Sequence, residues 1–443
     1  MFFSKTSEGS FLMQGNLITT LVALLFYLTT GLFGGNSSPN ETIPSTPVNI
    51  GQNGKFPLAG MIASQQVNIR SNSSSSGSVI GSASKGSRLV IVDEKDDWYR
   101  VQTENGADGW VAKWMVSTKN IPTGSRNLQS VIAAYYVENY QDDPVSQTSL
   151  AKNLGSINTV IPFSYKVDQY GAISGRHYSK PFALAKSSGA QTLALVNNIQ
   201  GSNFNSNTIH RMLSNAASRS RAVNGIARLL VEQGYRGVNI DFENIPASDR
   251  MYLTAFFREL ASVLRPKNLL VTASVPAKTY DDKKSGHSGA FDYQAIAPYL
   301  DLVMIMTYDE HYSGGDPGPV ASLPWVEKVI NYTMKSFPPQ KIVLGIAAYG
   351  YDWGLGTGKA LNNKGIQNLI KKHQVAPKWH SEFKTPYFTY KTWGVTHHVW
   401  YENSYSASFK VDLVKKYGLK GVAVWRCGYE DSNIWSIIRQ KLA

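Results

Sequence analysis

Between Val131 and Trp425 the chain repeats one pattern eight times: a short apolar run of β-forming residues, then a longer stretch with helical spacing. The runs begin near Val131 (VIAAYY), Thr159 (TVIPFSY), Thr192 (TLALVNN), Gly237, Leu269 (LLVTASV), Leu302 (LVMIMTY), Ile342 (IVLGIAAYG) and Gly421 (GVAVW). Runs that are apolar throughout suit parallel strands covered on both faces, and parallel neighbours need a crossover, usually a helix. One such helix is expected over Ser248 to Leu264. There Leu253, Phe256, Phe257, Leu260 and Leu264 form a single apolar stripe, and Ser248 stands at the N-cap. Eight units across residues 128–443 predict an α/β fold, a (β/α)8 TIM barrel. Extra length falls between the seventh and eighth runs, from Gly354 to about Val411. It alternates aromatics and β-formers (YFTYKTW, HHVWYE), which predicts a small β-rich insertion walling the cleft.

The fourth run departs from the apolar rule. Arg236 to Glu243 reads RGVNIDFE, with Asn239, Asp241 and Glu243 two residues apart. Strand side chains alternate, so these three share one face and Val238, Ile240 and Phe242 take the other. A barrel of this kind carries its site at the C-terminal ends of its strands. Glu243 ends the fourth run, with Asp241 and Asn239 progressively deeper. Met306, Tyr308 and Asp309 end the sixth run, and Trp425 with Arg426 ends the eighth. Carboxylates and aromatics are therefore expected to converge on one mouth.

Upstream, Leu17 to Phe33 is an apolar stretch that follows Lys5, which predicts a signal peptide or a membrane anchor over residues 1–34 and hence export. Residues 35–55, rich in Ser, Pro, Asn, Thr and Gly, read as a flexible linker. Residues 56–117 change to short alternating runs at hairpin spacing, and 118–127 form a second linker. The single cysteine, Cys427, excludes an intramolecular disulfide. The net charge of +13 favours polyanionic partners, yet no dense Lys/Arg run or nucleic-acid motif accompanies it. Nucleic acid is not an expected partner; an anionic wall polymer or membrane surface is, and the chain is expected to act as a monomer.

Two resemblances sharpen this. VNIRSNSSSSGSVIG followed by KGSRLVIVDEKDDWYRVQTENGADGWVAKWMV resembles the bacterial SH3 family, many of whose members hold enzymes on peptidoglycan. A passive β-barrel spacer is the alternative for this segment. From Leu128 to Leu442 the chain resembles family 18 glycoside hydrolases, whose fourth-strand motif is D-G-x-D-x-D-x-E, whose sixth strand ends M-x-Y-D, and whose eighth closes on tryptophan. Here those read R-G-V-N-I-D-F-E, M-T-Y-D and V-W, in order. Together with GVNIDFEN and GIAAYGYDW (Gly345 to Trp353), the resemblance is nearer to enzymes of bacterial wall and spore cortex than to secreted chitin degraders.

The resemblance implies retaining hydrolysis of a β-1,4 bond after N-acetylglucosamine, in which the substrate's own acetamido oxygen replaces the usual carboxylate nucleophile. Glu243 would be the acid, with burial and the Asp241 charge raising its pKa. Asp241 would hold the acetamido N–H and Tyr308 its carbonyl oxygen. Trp425 would form the floor beneath the sugar, with Met306 nearby, and Asp309 would brace Tyr308 or a substrate hydroxyl. Tyr349, Asp352 and Trp353 are further candidates for a sugar subsite. Arg236 and Asn239 replace the first two motif aspartates; Asn239 is expected to hydrogen-bond Asp241 and tune its pKa.

Other patterns carry less. GLGTGK (Gly354 to Lys359) lacks the first glycine and the Ser/Thr of a phosphate loop and reads as a flexible loop. His397 and His398 adjoin on an expected strand and so face opposite ways, and neither metal nor cofactor is expected. Two rivals remain at this point: a chitinase, and a catalytically silent, lectin-like wall-binding protein.

Overall fold

The computed structural model describes residues 58–103, 107–118 and 130–442, which fall in two compact units. The expected signal or anchor, the first linker, and all but Thr118 of the second linker lie outside the described residues.

The smaller unit is a seven-stranded antiparallel sheet. Its strands are Leu58–Ile62, Gln66–Arg70, Val79–Ser84, Arg88–Lys95, Trp98–Thr103, Asp108–Ala112 and Val116–Ser117. Period-two patterning builds its core: Val67 and Ile69 are buried while Gln66 and Asn68 are exposed. Ile62, Leu89, Ile91, Val101, Val111 and Val116 complete a single small cluster, as the resemblance to bacterial SH3 domains implied.

The larger unit is a closed parallel barrel. Its strands are β1 (Val131–Tyr136), β2 (Thr159–Pro162), β3 (Gln191–Asn197), β4 (Gly237–Asp241), β5 (Leu270–Pro276), β6 (Leu302–Met306), β7 (Ile342–Ala347) and β8 (Gly421–Trp425). All eight coincide with the runs read from sequence. Each pairs in parallel with the next, and β8 pairs with β1 through Gly421 opposite Val131. That closure needs glycine. Gly421 sits at φ +152°, and a Cβ there would lie 1.9 Å from the Val131 carbonyl oxygen.

Alternation along each strand separates two cores. Val131, Ala133, Tyr135, Ile161, Leu193, Leu195, Met304, Val343 and Ala423 fill the barrel interior. Ile132, Ala134, Val160, Val238, Ile240 and Val422 pack outward against the helices. The stripe Leu253, Phe256, Phe257, Leu260 and Leu264 is buried in that outer layer. Ser248 does not cap this helix. The chain enters through a tight 3-10 turn, Ala247–Asp249, whose geometry runs straight into Arg250–Leu264, so no side chain caps the helix.

The insertion is present, with different bounds. It begins at Tyr349, directly after β7, and its last strand ends at Tyr401; Ser404–Tyr417 is a barrel helix leading to β8. Its five antiparallel strands run in the order Lys359–Asn362, Tyr349–Trp353, Val395–Tyr401, Thr385–Thr392, Lys378–His380. Ile366, Phe388, Tyr390, Val399 and Tyr401 form its own core. A strand over Tyr165–Val167 also extends the edge of β3 at the mouth of the barrel.

Candidate active site

A cleft of about 1280 Å³ opens at the C-terminal ends of the barrel strands. Asp241 closes β4, and the chain carries on through Phe242 to Glu243. Asn244, at φ +54°, then turns it away. β6 ends similarly: Met306 is its last residue, Tyr308 follows, and Asp309 turns the chain at φ +61°. Asn and Asp are the residues that most readily take this left-handed conformation outside glycine. Asp241, Glu243, Met306, Tyr308, Asp309, Tyr349 and Trp425 all line the cleft.

Glu243 is fixed through its backbone. Asn198, wholly buried just beyond β3, accepts from the Glu243 N–H at 2.9 Å and donates its amide to the Glu243 carbonyl at 2.9 Å. This two-point clamp orients the peptide on either side of the acid while leaving its carboxyl in the cleft. Sequence reasoning passed over Asn198; the one available signal was a second asparagine closing the apolar run TLALVNN.

Beneath the two carboxylates lies a buried polar chain. The Tyr135 and Ser274 hydroxyls are 2.8 Å apart, Ser274 donates to the Asn239 side-chain oxygen at 2.9 Å, and Asn239 donates to Thr272 at 3.2 Å. Asn239 is fully enclosed and lines no part of the cleft. The expected direct hydrogen bond from Asn239 to Asp241 is not formed: the Asn239 side chain is taken up instead by Ser274 on β5 and by Thr272.

Burial sets the electrostatics. It pushes the Asp241 carboxyl up to about 7, with the Ser274 hydroxyl offsetting part of the rise. Glu243 is raised well above the usual carboxylate range by burial first, then by the negative charges of Asp241 and Asp309. Asp309 is pushed up to about 6 by burial and held from rising further by hydrogen bonds from Tyr349 and Tyr351. Several carboxyls thus crowd one site and share fewer charges than their number, which keeps a proton available near neutrality.

The apolar lining is built around Trp425. Tyr135 and Phe163 meet its ring edge-to-face at 5.4 and 5.6 Å. Arg426 lies against the Tyr429 ring and donates to Asn139 at 2.9 Å. The structure does not bring Asp352 and Trp353 to this cleft. Asp352 is taken up inside the insertion by Tyr390 and by His397 at 2.8 Å, and Trp353 is buried there against Tyr351. Only the first residue of that strand, Tyr349, reaches the mouth.

The arrangement can protonate a departing oxygen at Glu243, accept an N–H at Asp241, donate a hydroxyl from Tyr308, and seat an apolar ring face on Trp425. The profile of glycosyl hydrolases family 18 matches residues 110–430, and that of the bacterial SH3 domain matches residues 65–117. An uncharacterized glycosylase of Bacillus subtilis (strain 168), YvbX, is 32% identical over 304 residues, covering 67% of this chain and 88% of the relative. The cortical fragment-lytic enzyme of Bacillus anthracis is 30% identical over 253 residues, which is 56% of this chain and 59% of that enzyme. A solved chitinase from Chromobacterium violaceum matches with a TM-score of 0.66 at 30% identity, covering 71% of this chain and 99% of the chitinase.

Proposed function

The chain belongs to glycosyl hydrolase family 18, and from that membership we propose that it is an exported enzyme cleaving β-1,4 bonds after N-acetylglucosamine in peptidoglycan of the cell wall or spore cortex. The observation that carries this reading is the meeting of Asp241, Glu243, Tyr308 and Trp425, from three separate strand ends, along one cleft. Similarity to a cortical fragment-lytic enzyme supports the choice of wall glycan. A matched bacterial SH3 domain supports retention on an anionic wall polymer, and the net charge of +13 suits that surface.

In the proposed reaction the sugar lies on Trp425 and its acetamido group points down toward Asp241 and Tyr308. Glu243 transfers its proton to the glycosidic oxygen as the C1–O bond breaks, and the acetamido oxygen attacks C1 from the opposite face. Asp241, accepting from the acetamido N–H, offsets the positive charge that develops on the resulting ring. Tyr308 donates to the acetamido oxygen and holds it beneath C1. Water then attacks C1 from the side of the departed group, giving its proton to the Glu243 carboxylate, as the bond between C1 and the acetamido oxygen breaks and the acetamido group re-forms. The acid is restored and the configuration at C1 is retained.

Proton NMR of the anomers formed during hydrolysis of an N-acetylglucosamine oligomer tests this. The β-anomer is expected first, mutarotating later. An α-anomer formed first would mean direct attack by water, and the acetamido route would be wrong. Similarity to the Chromobacterium chitinase favours chitin as a second substrate, and rates on chitin oligomers beside wall glycan decide between them.

A further inference from the structure

One cation in the cleft wall has no counter-charge among the described residues. Lys166 lies on the strand Tyr165–Val167, where it is the register partner of Asn197 on β3, and Asn197 is in turn the partner of Asp241 on β4. Adjacent strands lie about 4.8 Å apart, so the Lys166 backbone stands roughly 10 Å from that of Asp241. Tyr165 and Val167 are buried on the opposite face. Lys166 itself is exposed and lines the cleft with Asn197 and Asp241.

Lys166 makes no hydrogen bond or ion pair with any described residue. Apart from the reacting carboxyls Asp241 and Glu243, the charged side chains beside it in the cleft have partners. Arg426 is held by Asn139 and Tyr429, and Asp309 by Tyr349 and Tyr351. Glu310 accepts from the Ser322 N–H and hydroxyl at 2.6 and 2.9 Å. An ammonium left without a partner, two strands from the reacting centre and facing the channel, is placed to meet an anion carried by the substrate.

We propose that Lys166 is a specificity residue that binds a carboxylate on the 3-O-lactyl substituent of N-acetylmuramic acid, at the sugar next to the one that reacts. The assignment rests on the proposed action on peptidoglycan. In an alternating glycan both neighbours of a reacting N-acetylglucosamine are muramyl residues, so it holds on either side of the scissile bond. Chitin carries a plain hydroxyl at that position and gives the ammonium nothing to pair with. The carboxylate belongs to the free lactyl group or, where that group is amidated, to the attached stem peptide; the same contact serves both.

The test compares kcat/KM of the full chain, as wild type, Lys166→Met and Lys166→Arg, on three soluble tetrasaccharides. These are an alternating glycan with free lactyl groups, the same glycan bearing stem peptides, and a chitin oligomer. In Lys166→Met the preference for a muramyl glycan over chitin falls about tenfold, chiefly through KM, and Lys166→Arg restores most of it. The muramyl substrate that shows the loss identifies which carboxylate is bound. A preference that stays the same in Lys166→Met on both muramyl glycans overturns the inference alone. Wild type that hydrolyses none of the three overturns the proposed function and the inference with it.

Discussion

Tyr349, the first residue of the insertion, donates its hydroxyl to Asp309, at the end of β6, at 2.6 Å. Tyr351 donates to the same carboxylate oxygen at 2.9 Å, so the insertion and the barrel meet on a half-buried carboxyl that lines the cleft. Asp309 also raises the proton affinity of Glu243 through its charge.

Tyr349→Phe should therefore move the pH profile. Losing one of two donors lets Asp309, pushed up to about 6, rise further and stay neutral to higher pH. A neutral Asp309 repels less, so Glu243 loses its proton more easily. The alkaline limb of kcat/KM against pH should shift toward lower pH. A profile identical to wild type would mean that Asp309 is not coupled to the acid.

Asp241→Asn should abolish most activity and yet stabilise the fold at high pH. Burial pushes Asp241 from 3.8 to about 7, so the native state holds the proton more tightly than the unfolded chain. Its contribution to stability is fully present below about pH 4 and is lost as pH rises through about 7. The neutral asparagine escapes that loss. Thermal unfolding should show the variant melting several degrees above wild type at pH 8, with the gap closing toward pH 4. A variant no more stable than wild type at pH 8 would contradict the burial argument.

Asn198→Ala removes both backbone hydrogen bonds that orient Glu243. The substrate contacts remain, so kcat should fall about 10- to 100-fold while KM moves little. The same loss appearing in KM would point to a collapsed cleft instead of a misplaced acid.

Gly421→Ala forces a methyl to within 1.9 Å of the Val131 carbonyl oxygen, at a φ few side chains tolerate. β8 cannot then close against β1. Expression should yield insoluble or thermally fragile protein, whereas alanine at Gly418, where nothing lies within 4 Å, should be milder despite its φ of +63°.

Much of this fold was legible because strands buried on both faces announce themselves as apolar runs, and the carboxylate-bearing face of β4 marks the site. What was not legible depends on register between strands. Ser274 reaches Asn239 because β5 is staggered so that Asn239 opposes Thr272, and nothing within LLVTASV reports that pairing. The clamp by Asn198 likewise depends on β3 lying beside β4. The place of Lys166 in the cleft wall depends in the same way on the strand Tyr165–Val167, which sets it opposite Asn197. The start of the insertion was misplaced because IVLGIAAYGYDW is one unbroken β-forming run. The chain leaves the barrel at Ala348, whose N–H bonds the Trp425 carbonyl at 2.8 Å, and no turn residue marks the exit. Asp352 and Trp353 follow that exit into the insertion, away from the cleft.

The proposed role of Glu243 as the acid of a glucosaminidase acting on wall glycan is tested by mass spectrometry of the soluble products when purified peptidoglycan sacculi are incubated with wild type and with Glu243→Gln. Fragments with new N-acetylglucosamine reducing ends are expected from wild type, with release lowered at least about 100-fold by the variant while it still binds the sacculi. Comparable release by both proteins, or new ends at N-acetylmuramic acid, would contradict it.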